Sequence, residues 1–562
     1  MIMREAEPRN SAPLTISHWP AARDWPLLDL SLGEALRAAA WTVPDRPALI
    51  EATEQGEPAR RWTYAELFDW SERTAQALLT RFAPGDRVAV CAPNIVEWIP
   101  LLYGCALAGI VLVTINPAAK PREIRLVLGK SGAAGLFVIR NYRGNDCLGM
   151  AHTLSQELPG LHTIVPIDGF AAFVETGPRD TDLPQVDPLD PTLTLFTSGT
   201  TGEPKGVVLH HKGLLNMAHM THARGGLEDG GVFVSPMPMF YIGGLGHAGI
   251  GAVAHMATHV VVPHWDPELF MRLVEREKGT YSLLVPTMIE AVLAHPARGN
   301  YDLSSLTSLI SGASVVESQL IRRIWAELRS TICNVYGQTE MHGVTICTQR
   351  SDNLEQQTST IGRPHAHMEV IIANPETGEA LPIGEEGEIW VRSYQSMLGY
   401  FGQPEETAKT LRPDGWLRSG DLARMDAQGY IAITGRIKEM IIRGGENIYP
   451  REVESVLLEH PAVAAVAVIG IPHAYWGEQV CAIIVPEAGS AREPRELRAF
   501  AREAMMGFKV PSLWGFVESF PFTDTGKLRK FKLCEDVASG VIPVTETSTA
   551  RQSATYQNER QA

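Results

Sequence analysis

Cysteine is scarce in this sequence. There are seven in 562 residues: Cys91, Cys105, Cys147, Cys333, Cys347, Cys481 and Cys534, and none form a CxxC pair. An odd number of widely spaced thiols excludes a disulfide framework and a paired-cysteine zinc site, and it fits a reducing, cytoplasmic setting. Positive charge is also in short supply. Forty-nine Lys and Arg face 64 Asp and Glu, leaving a formal net charge of −15. That excludes non-specific nucleic-acid binding, which needs cations to replace phosphate counterions. An anionic substrate must therefore be held by a local site rather than drawn in by the overall field. Long uncharged apolar runs are few, and one could suggest a membrane span. Trp98–Ala119 carries no charge but is interrupted by Pro100, Gly104, Gly109, Asn116 and Pro117. It is expected to be a buried helix followed by a strand, not a membrane span. Met1–Pro20 mixes charges of both signs without an apolar stretch, so no signal peptide is expected.

What is present is an alternation of strands and helices. Arg87–Ala92 reads as a strand. Asn94 and Glu97 have the spacing of a capping box opening a helix, Gly109 ends it, and Ile110–Ile115 is the next strand. Further strands are expected at Leu193–Thr197, Val232–Ser235, His259–Pro263, Tyr281–Val285 and Leu306–Ser311, with helices over Thr287–Ala294 and Glu317–Leu328. This is α/β architecture with largely parallel sheets. From about Ala366 the texture becomes β-rich, with strands at Met368–Ile372 and Gly387–Arg392. After Gly435 an α+β unit of about a hundred residues follows, a normal small-domain size. The expected division is an arm at 1–26, a large α/β domain with a β-rich subdomain at 27–435, a small α+β domain at 436–543, and a disordered tail at 544–562.

One segment stands out chemically: Thr197-Ser198-Gly199-Thr200-Thr201-Gly202-Glu203-Pro204-Lys205-Gly206. It follows a strand. Small residues let successive backbone N–H groups converge on an anion, hydroxyls add donors, and Lys205 adds a point charge suited to phosphate. A flexible surface loop is the competing reading. Gly206 stands where a Walker A loop would place Ser or Thr, so this is not that motif.

The segment resembles the phosphate loop of the adenylate-forming superfamily, which includes acyl- and aryl-CoA synthetases, luciferases and peptide-synthetase adenylation domains. Further motifs of that superfamily follow in order between about Thr63 and Arg529. Ser311-Gly312-Ala313 and Asn334-Val335-Tyr336-Gly337-Gln338-Thr339-Glu340 resemble its adenine and magnesium segments. Tyr336 is suited to stacking on adenine, Thr339 to a phosphate, and Glu340 is a hard oxygen ligand for Mg²⁺. Trp416-Leu417-Arg418-Ser419-Gly420-Asp421-Leu422 and Gly435-Arg436 resemble its ribose segments, and a carboxylate such as Asp421 accepts two hydrogen bonds from a diol. Arg443-Gly444-Gly445-Glu446-Asn447-Ile448-Tyr449-Pro450 resembles the loop along the pantetheine tunnel. Pro521–Arg529 resembles the motif of the catalytic lysine, here Lys527.

The resemblance implies an AMP-forming acyl-CoA synthetase with a small, mobile C-terminal domain and a site between the two domains. ATP would be held by Thr197, Ser198, Gly199, Thr200, Thr201, Gly202, Lys205, Gly312, Ala313, Asn334, Tyr336, Gly337, Thr339, Asp421, Arg436 and Lys527. Thr197, Glu340 and Lys527 would be catalytic, Glu340 the Mg²⁺ ligand and Lys438 the hinge. Coenzyme A would meet Arg443, Gly444 and Gly445. The acyl pocket would include Phe240, Tyr241, Gly243, Met341 and His342. Tyr241 departs from the pattern, since many acyl-CoA synthetases carry His there, and Tyr cannot act as imidazole near neutral pH. Two other readings stay open at this point: an adenylating enzyme that loads a carrier protein, and an inactive nucleotide-binding module. The acid itself is not legible.

Overall fold

The computed structural model describes residues 13–23, 25–56, 58–197, 204–312, 316, 318–443, 446–490, 492–522 and 528–547. The chain divides into two compact units. The described residues of Met1–Ile371, Trp390–Ser419 and Asp426–Ile431 form the larger, and those of Ile372–Ile389, Gly420–Met425 and Ala432–Ala562 the smaller.

The larger unit is built on two sheets. The first has the strand order Gly399–Tyr400, Lys205–His210, Pro191–Thr197, Val111–Ile115, Arg87–Cys91, Gly135–Val138 and Thr163–Pro166. The last five run parallel, and the first two are antiparallel additions at one edge. The second sheet has nine strands, with a parallel centre made by Thr331–Gln338, Ser308–Ser311, Tyr281–Leu283, Val232–Ser235, Thr258–Val261 and Pro47–Ala52. Parallel strands are covered on both faces, which is why they read as continuous apolar runs rather than alternating ones. Every residue of Val111–Ile115 is buried. So is every residue of the helix Trp98–Ala108, whose Gly104 lies so close to Thr74 of the helix Tyr64–Leu79 that a Cβ would sit 2.7 Å from Thr74 Cγ2. The uncharged stretch Trp98–Ala119 is thus helix and strand of an α/β core. Among the described residues no helix is long and apolar enough to cross a membrane.

Asn94 does not cap that helix. Glu97 stands at the N-cap without a side-chain hydrogen bond. Asn94 Nδ2 instead donates to Met237 O at 3.1 Å and Val262 O at 3.0 Å, and Met239 N donates to Asn94 Oδ1 at 2.9 Å. A local capping spacing and a long-range clamp use the same residue type, and here tertiary packing took it. The described part of the arm is packed into the larger unit. His18–Trp19 pairs antiparallel with Val370–Ile371, and Trp19 and Trp25 are both buried.

The smaller unit holds the strands Glu446–Ile448, Ile441–Arg443, Gly477–Pro486, Leu513–Phe516 and Val544–Glu546 in that order, with Val463–His473 also on Gly477–Pro486. Helices Pro450–Leu458 and Pro494–Ala504 cover a core of Val453, Leu457, Val468, Val480, Ile484, Leu497 and Trp514. Val544–Glu546 was expected to open a disordered tail on composition. It is the terminal strand, pairing with Leu513–Gly515, and Trp514 Nε1 donates to Thr547 Oγ1 at 3.0 Å. Between the two sets the segment from Glu369 is strand-rich as expected, with Glu369–Ala373, Gly387–Arg392, Leu417–Met425 and Ile431–Arg436.

The core of the larger unit contains many histidines. Burial lowers His219 and His247 to about 4 and His211, His255 and His259 to about 3, so all are neutral near pH 7. Lowered on folding from 6.5, such a group binds its proton more tightly in the unfolded chain. Stability is therefore full above about pH 6.5 and is lost as the pH falls toward 4. His259 is the sharpest case, since neither ring nitrogen has a hydrogen-bond partner among the described residues. His259→Leu should raise Tm at pH 5 by more than it does at pH 8, read by thermal unfolding at both. An equal shift at both pH values would remove His259 from the acid limb.

Candidate active site

Thr197 and Lys205 are brought face to face. They close the antiparallel ladder between Pro191–Thr197 and Lys205–His210. Phe196 lies over Gly206 closely enough that a Cβ there would meet its ring at 2.9 Å, so Gly at 206 lets the two strands converge. Ser198, Gly199, Thr200, Thr201 and Gly202, assigned to the phosphates, lie outside the described residues. The pair Thr197 and Lys205 marks where that loop leaves and returns.

The magnesium segment is a second tight turn in the same unit. Thr331–Gln338 runs parallel to Ser308–Ser311, with Ser311 opposite Asn334, and then turns back into Gly343–Cys347. The return is very close. A Cβ on Gly337 would sit 1.7 Å from Gly343 O, so no other residue fits there. Gly312 is similarly constrained, with a Cβ 2.6 Å from Val335 O. Gly312, Asn334, Tyr336 and Gly337 thus share one short stretch of adjacent strands. Ala313 lies outside the described residues. Thr339–Met341 forms a single 3₁₀ turn at the tip, and Glu340 projects from it. Glu340 is held twice: Tyr400 Oη donates to its Oε1 at 2.9 Å, and Met397 N donates to its backbone O at 2.9 Å.

Tyr400 was not singled out in the sequence. It pairs with Val207 on the strand that Lys205 begins, and the Lys205 ammonium lies 4.9 Å from the centre of its ring. Its phenol is pushed up, first by burial and then by the Glu340 charge, so it stays a proton donor to that carboxylate. One aromatic side chain therefore touches both the candidate phosphate lysine and the candidate metal ligand. Mg²⁺ characteristically takes one or two protein carboxylates and completes its shell with water and substrate phosphates. A single anchored Glu340 meets that requirement. Among the described residues no group of three or more His, Cys, Asp or Glu could hold a metal by itself.

The candidate acyl residues divide. Phe240 and Tyr241 sit at the entry to a wide, glycine-rich π-helix, Ile242–Ile250, with their rings 4.7 Å apart. The approach to that helix is pinned by Asn94 and by Thr114 Oγ1, which donates to Phe240 O at 2.8 Å. A Cβ on Gly243 would meet only the flexible end of Met237, at 3.3 Å. Met341 and His342 are almost wholly buried, at 1% and 0% exposure. His342 Nε2 accepts from His210 N at 2.9 Å, and its Nδ1 donates to Gln395 O at 2.6 Å. Both ring nitrogens are thus committed to backbone, and burial lowers the imidazole well below its ordinary pKa. Its φ of 59° is the left-handed conformation that ends the turn.

In the smaller unit Asp421 and Arg436 come together. Arg436 Nε lies 2.6 Å from Asp421 Oδ1, and Asp421 is only 2% exposed. Gly420, at φ 73°, donates its N–H to the buried Glu388 at 2.9 Å and so fixes the turn before Asp421. Lys438 lies on the 3₁₀ turn Ile437–Glu439. Arg443 ends the strand Ile441–Arg443, donates to Phe508 O at 2.9 Å and stacks over Trp476. Gly444, Gly445 and Lys527 lie outside the described residues.

The larger unit also has a surface depression of about 660 Å³ whose lining includes Arg23, Glu369, Arg392, Tyr394 and Arg412. None of the candidate residues line it.

Residues 36–401 match the AMP-binding enzyme family, and residues 452–527 match the AMP-binding enzyme C-terminal domain. This chain belongs to the AMP-binding enzyme family. It is 33% identical over 556 residues to the medium-chain acyl-CoA ligase ACSF2, mitochondrial, of Mus musculus, covering 93% of this chain and 90% of that protein. Its fold is similar to that of the anthranilate CoA ligase AuaEII in complex with anthranoyl-AMP, with a TM-score of 0.81, 27% identity, and 92% of this chain and 99% of that one covered. It is also similar to the amide bond synthetase McbA from Marinactinospora thermotolerans, with a TM-score of 0.77, 28% identity, and 89% and 99% covered. The protein is an enzyme of the AMP-forming acyl-CoA ligase family, with that family's mixed α/β fold, large N-terminal domain and small C-terminal domain.

Within this family enzyme the position of His342 generates a test. His342→Leu would leave His210 N and Gln395 O without partners in a buried place, at a cost of about 1–3 kcal/mol for each. The expected result is a Tm lowered by several degrees with the order of preferred acids unchanged. A changed acid preference at unchanged Tm would return His342 to the acyl pocket.

Proposed function

We propose that this enzyme joins a carboxylic acid to coenzyme A in two steps, forming an acyl-adenylate from ATP with release of pyrophosphate and then passing the acyl group to the thiol with release of AMP. The observation that carries the reading is the cluster of Thr197, Lys205, Tyr400 and Glu340, which sets a cation and an anchored carboxylate beside one phosphate-loop hairpin.

In the first step a carboxylate oxygen attacks the α-phosphorus and the bond to pyrophosphate breaks. Repulsion between two anions opposes that attack, and fixed cations at the developing charge lower the barrier. Lys205 serves the leaving phosphates, and Lys527 serves the attacking carboxylate and the α-phosphate. Glu340 would hold Mg²⁺, which would supply charge neutralisation at the phosphates. Asp421 accepts the ribose hydroxyls and Arg436 orients that carboxylate. Phe240, Tyr241 and Gly243 shape the acyl end, Tyr241 as a wall and not as a proton carrier. In the second step the domain beginning near Arg436 turns about Lys438, and Arg443, Gly444 and Gly445 line the way in for the pantetheine. The acids to try first are medium-chain carboxylic acids, because the mouse relative is a medium-chain acyl-CoA ligase.

The test follows pyrophosphate release across a panel of carboxylic acids, with the acyl group then offered to coenzyme A, to a carrier protein and to an amine. Coenzyme A should be the acceptor. Acyl transfer to a carrier protein or amine alone would refute that half of the proposal, and absence of pyrophosphate release with every acid would refute the first. Two variants separate the steps. Lys527→Ala should lose adenylate formation by about 10²-fold or more yet convert supplied acyl-adenylate and coenzyme A to thioester. Glu340→Gln should raise the Mg²⁺ concentration needed for half-maximal pyrophosphate release. Equal loss of both half-reactions in folded Lys527→Ala would count against its assigned role.

A further inference from the structure

Lys205 is not waiting empty-handed for a phosphate. Its Nζ lies 2.5 Å from Glu406 Oε2, and its side chain is 15% exposed. The other oxygen of Glu406 accepts from Lys409 Nζ at 2.5 Å. Glu406 sits in the first turn of the helix Pro404–Thr410. That helix is tied by backbone to the strand that Lys205 begins. Phe401 N donates to Gly206 O at 2.8 Å, Val207 and Val208 pair with Tyr400 and Gly399, and Tyr400 N donates to Thr407 Oγ1 at 2.9 Å. A mobile surface pair would hold its partner loosely and be worth little. Here both backbones are fixed to each other, and the ammonium is confined between the carboxylate and the Tyr400 ring. The two lysines hold the Glu406 carboxyl at about 2, so it is anionic throughout the working pH range. A carboxylate oxygen and a phosphate oxygen ask the same thing of an ammonium group, a short charge-assisted hydrogen bond. They therefore compete for it.

We propose that Glu406 is a built-in competitor of the nucleotide, holding the Lys205 ammonium where a phosphate oxygen would bind, so that ATP enters by displacing the carboxylate. The proposal rests on the reading of Lys205 as a phosphate ligand. Its consequence is a site whose affinity for triphosphate and for the departing pyrophosphate is held down by an internal anion. When pyrophosphate leaves, Glu406 takes the lysine back.

The experiment uses the full-length protein and measures Mg·ATP binding by calorimetry without acid or coenzyme A, so that no turnover occurs. Lys205→Ala should weaken binding by about 10-fold or more, the scale of one charge-assisted contact. Glu406→Gln should tighten binding by about 3- to 10-fold and lower the inhibition constant of pyrophosphate by a similar factor, as expected for release of one partly exposed ion pair. In the double variant the gain should vanish, leaving the affinity of Lys205→Ala alone, because the carboxylate acts through that ammonium. Glu406→Ala serves as a second variant should the glutamine fold poorly, with Tm checked for each. A loss of general packing would not tighten binding, so the sign of the change separates a competitor from a structural support. If Glu406→Gln weakens ATP as Lys205→Ala does, Glu406 orients the lysine and the proposal is wrong. If the gain persists without Lys205, it is a diffuse field effect and the proposal is again wrong. If Lys205→Ala leaves ATP affinity unchanged, the phosphate-loop reading fails first and takes the competitor with it.

Discussion

The candidate catalytic face of the larger unit depends on how closely two strands approach at Gly337. With Gly343 O only 1.7 Å from where a Cβ would stand, the chain must turn back on itself there. The turn fixes the rest in sequence. Thr339–Met341 has room for a single 3₁₀ turn, and that presents Glu340 at the tip. His342 must close it at positive φ, and its ring is then locked to His210 N and Gln395 O. Gln395 in turn donates to Met341 O and Val344 O, holding both sides of the hairpin. From Gln395 the chain runs through Met397, which donates to Glu340 O, to Tyr400, which donates to the Glu340 carboxylate. The position of the candidate metal-ligand carboxylate is thus set by backbone geometry rather than by side-chain choice. Precise placement of this kind is what a positioned ligand requires.

The same chain of contacts explains how an acidic protein handles an acidic substrate. With a net charge of −15, the overall field repels ATP. Binding must come from a few cations made available at short range, where screening is weak. Lys205 is the cation given that task in the proposed function, but an unpaired ammonium at 15% exposure would be poorly solvated. Glu406 and the Tyr400 ring supply partners in the absence of ligand. The solvation problem and the affinity problem have one solution, a nearby anion that can be exchanged for a phosphate. Asp421 with Arg436 shows the complementary case, a buried carboxylate oriented by a fixed guanidinium.

How much of this could be read from the sequence follows from the range of the interactions involved. The α/β alternation was legible because buried parallel strands need continuous apolar residues, and Val111–Ile115 and Tyr281–Leu283 have them. Gly312 and Gly337 were legible because backbone crowding there admits nothing else. Tyr400 and Glu406 were not. Their roles come from pairing a strand near residue 207 with one near residue 400, and no local pattern encodes a contact across that separation. Asn94 was misread for a related reason. Its spacing to Glu97 satisfies a helix cap, while its amide and carbonyl satisfy four long-range groups at once. Composition misled at Val544, where a polar sequence still completes an edge strand because Trp514 needs a partner for its indole N–H. His342 is assigned to the acyl pocket by its place after Glu340, and the sequence says nothing of its ring nitrogens. Only the fold shows that both ring nitrogens are spent on backbone.

The buried histidines complete the argument about charge. His222 Nδ1 meets Tyr281 Oη at 2.9 Å and its Nε2 meets His247 O at 2.9 Å, while His255 Nε2 meets His219 O at 3.0 Å. Each is lowered by burial and so serves as a neutral hydrogen-bonding ring. A neutral imidazole is both donor and acceptor, so it can join two elements without bringing a charge into the core. That matters beneath a site built on single placed charges. The helix His211–Gly225 already carries one buried charge, Arg224, whose guanidinium donates to Arg363 O at 2.8 Å, and charges interact strongly through low-dielectric protein. His222, bonded through both ring nitrogens, cross-links the core without adding a second buried charge to that helix.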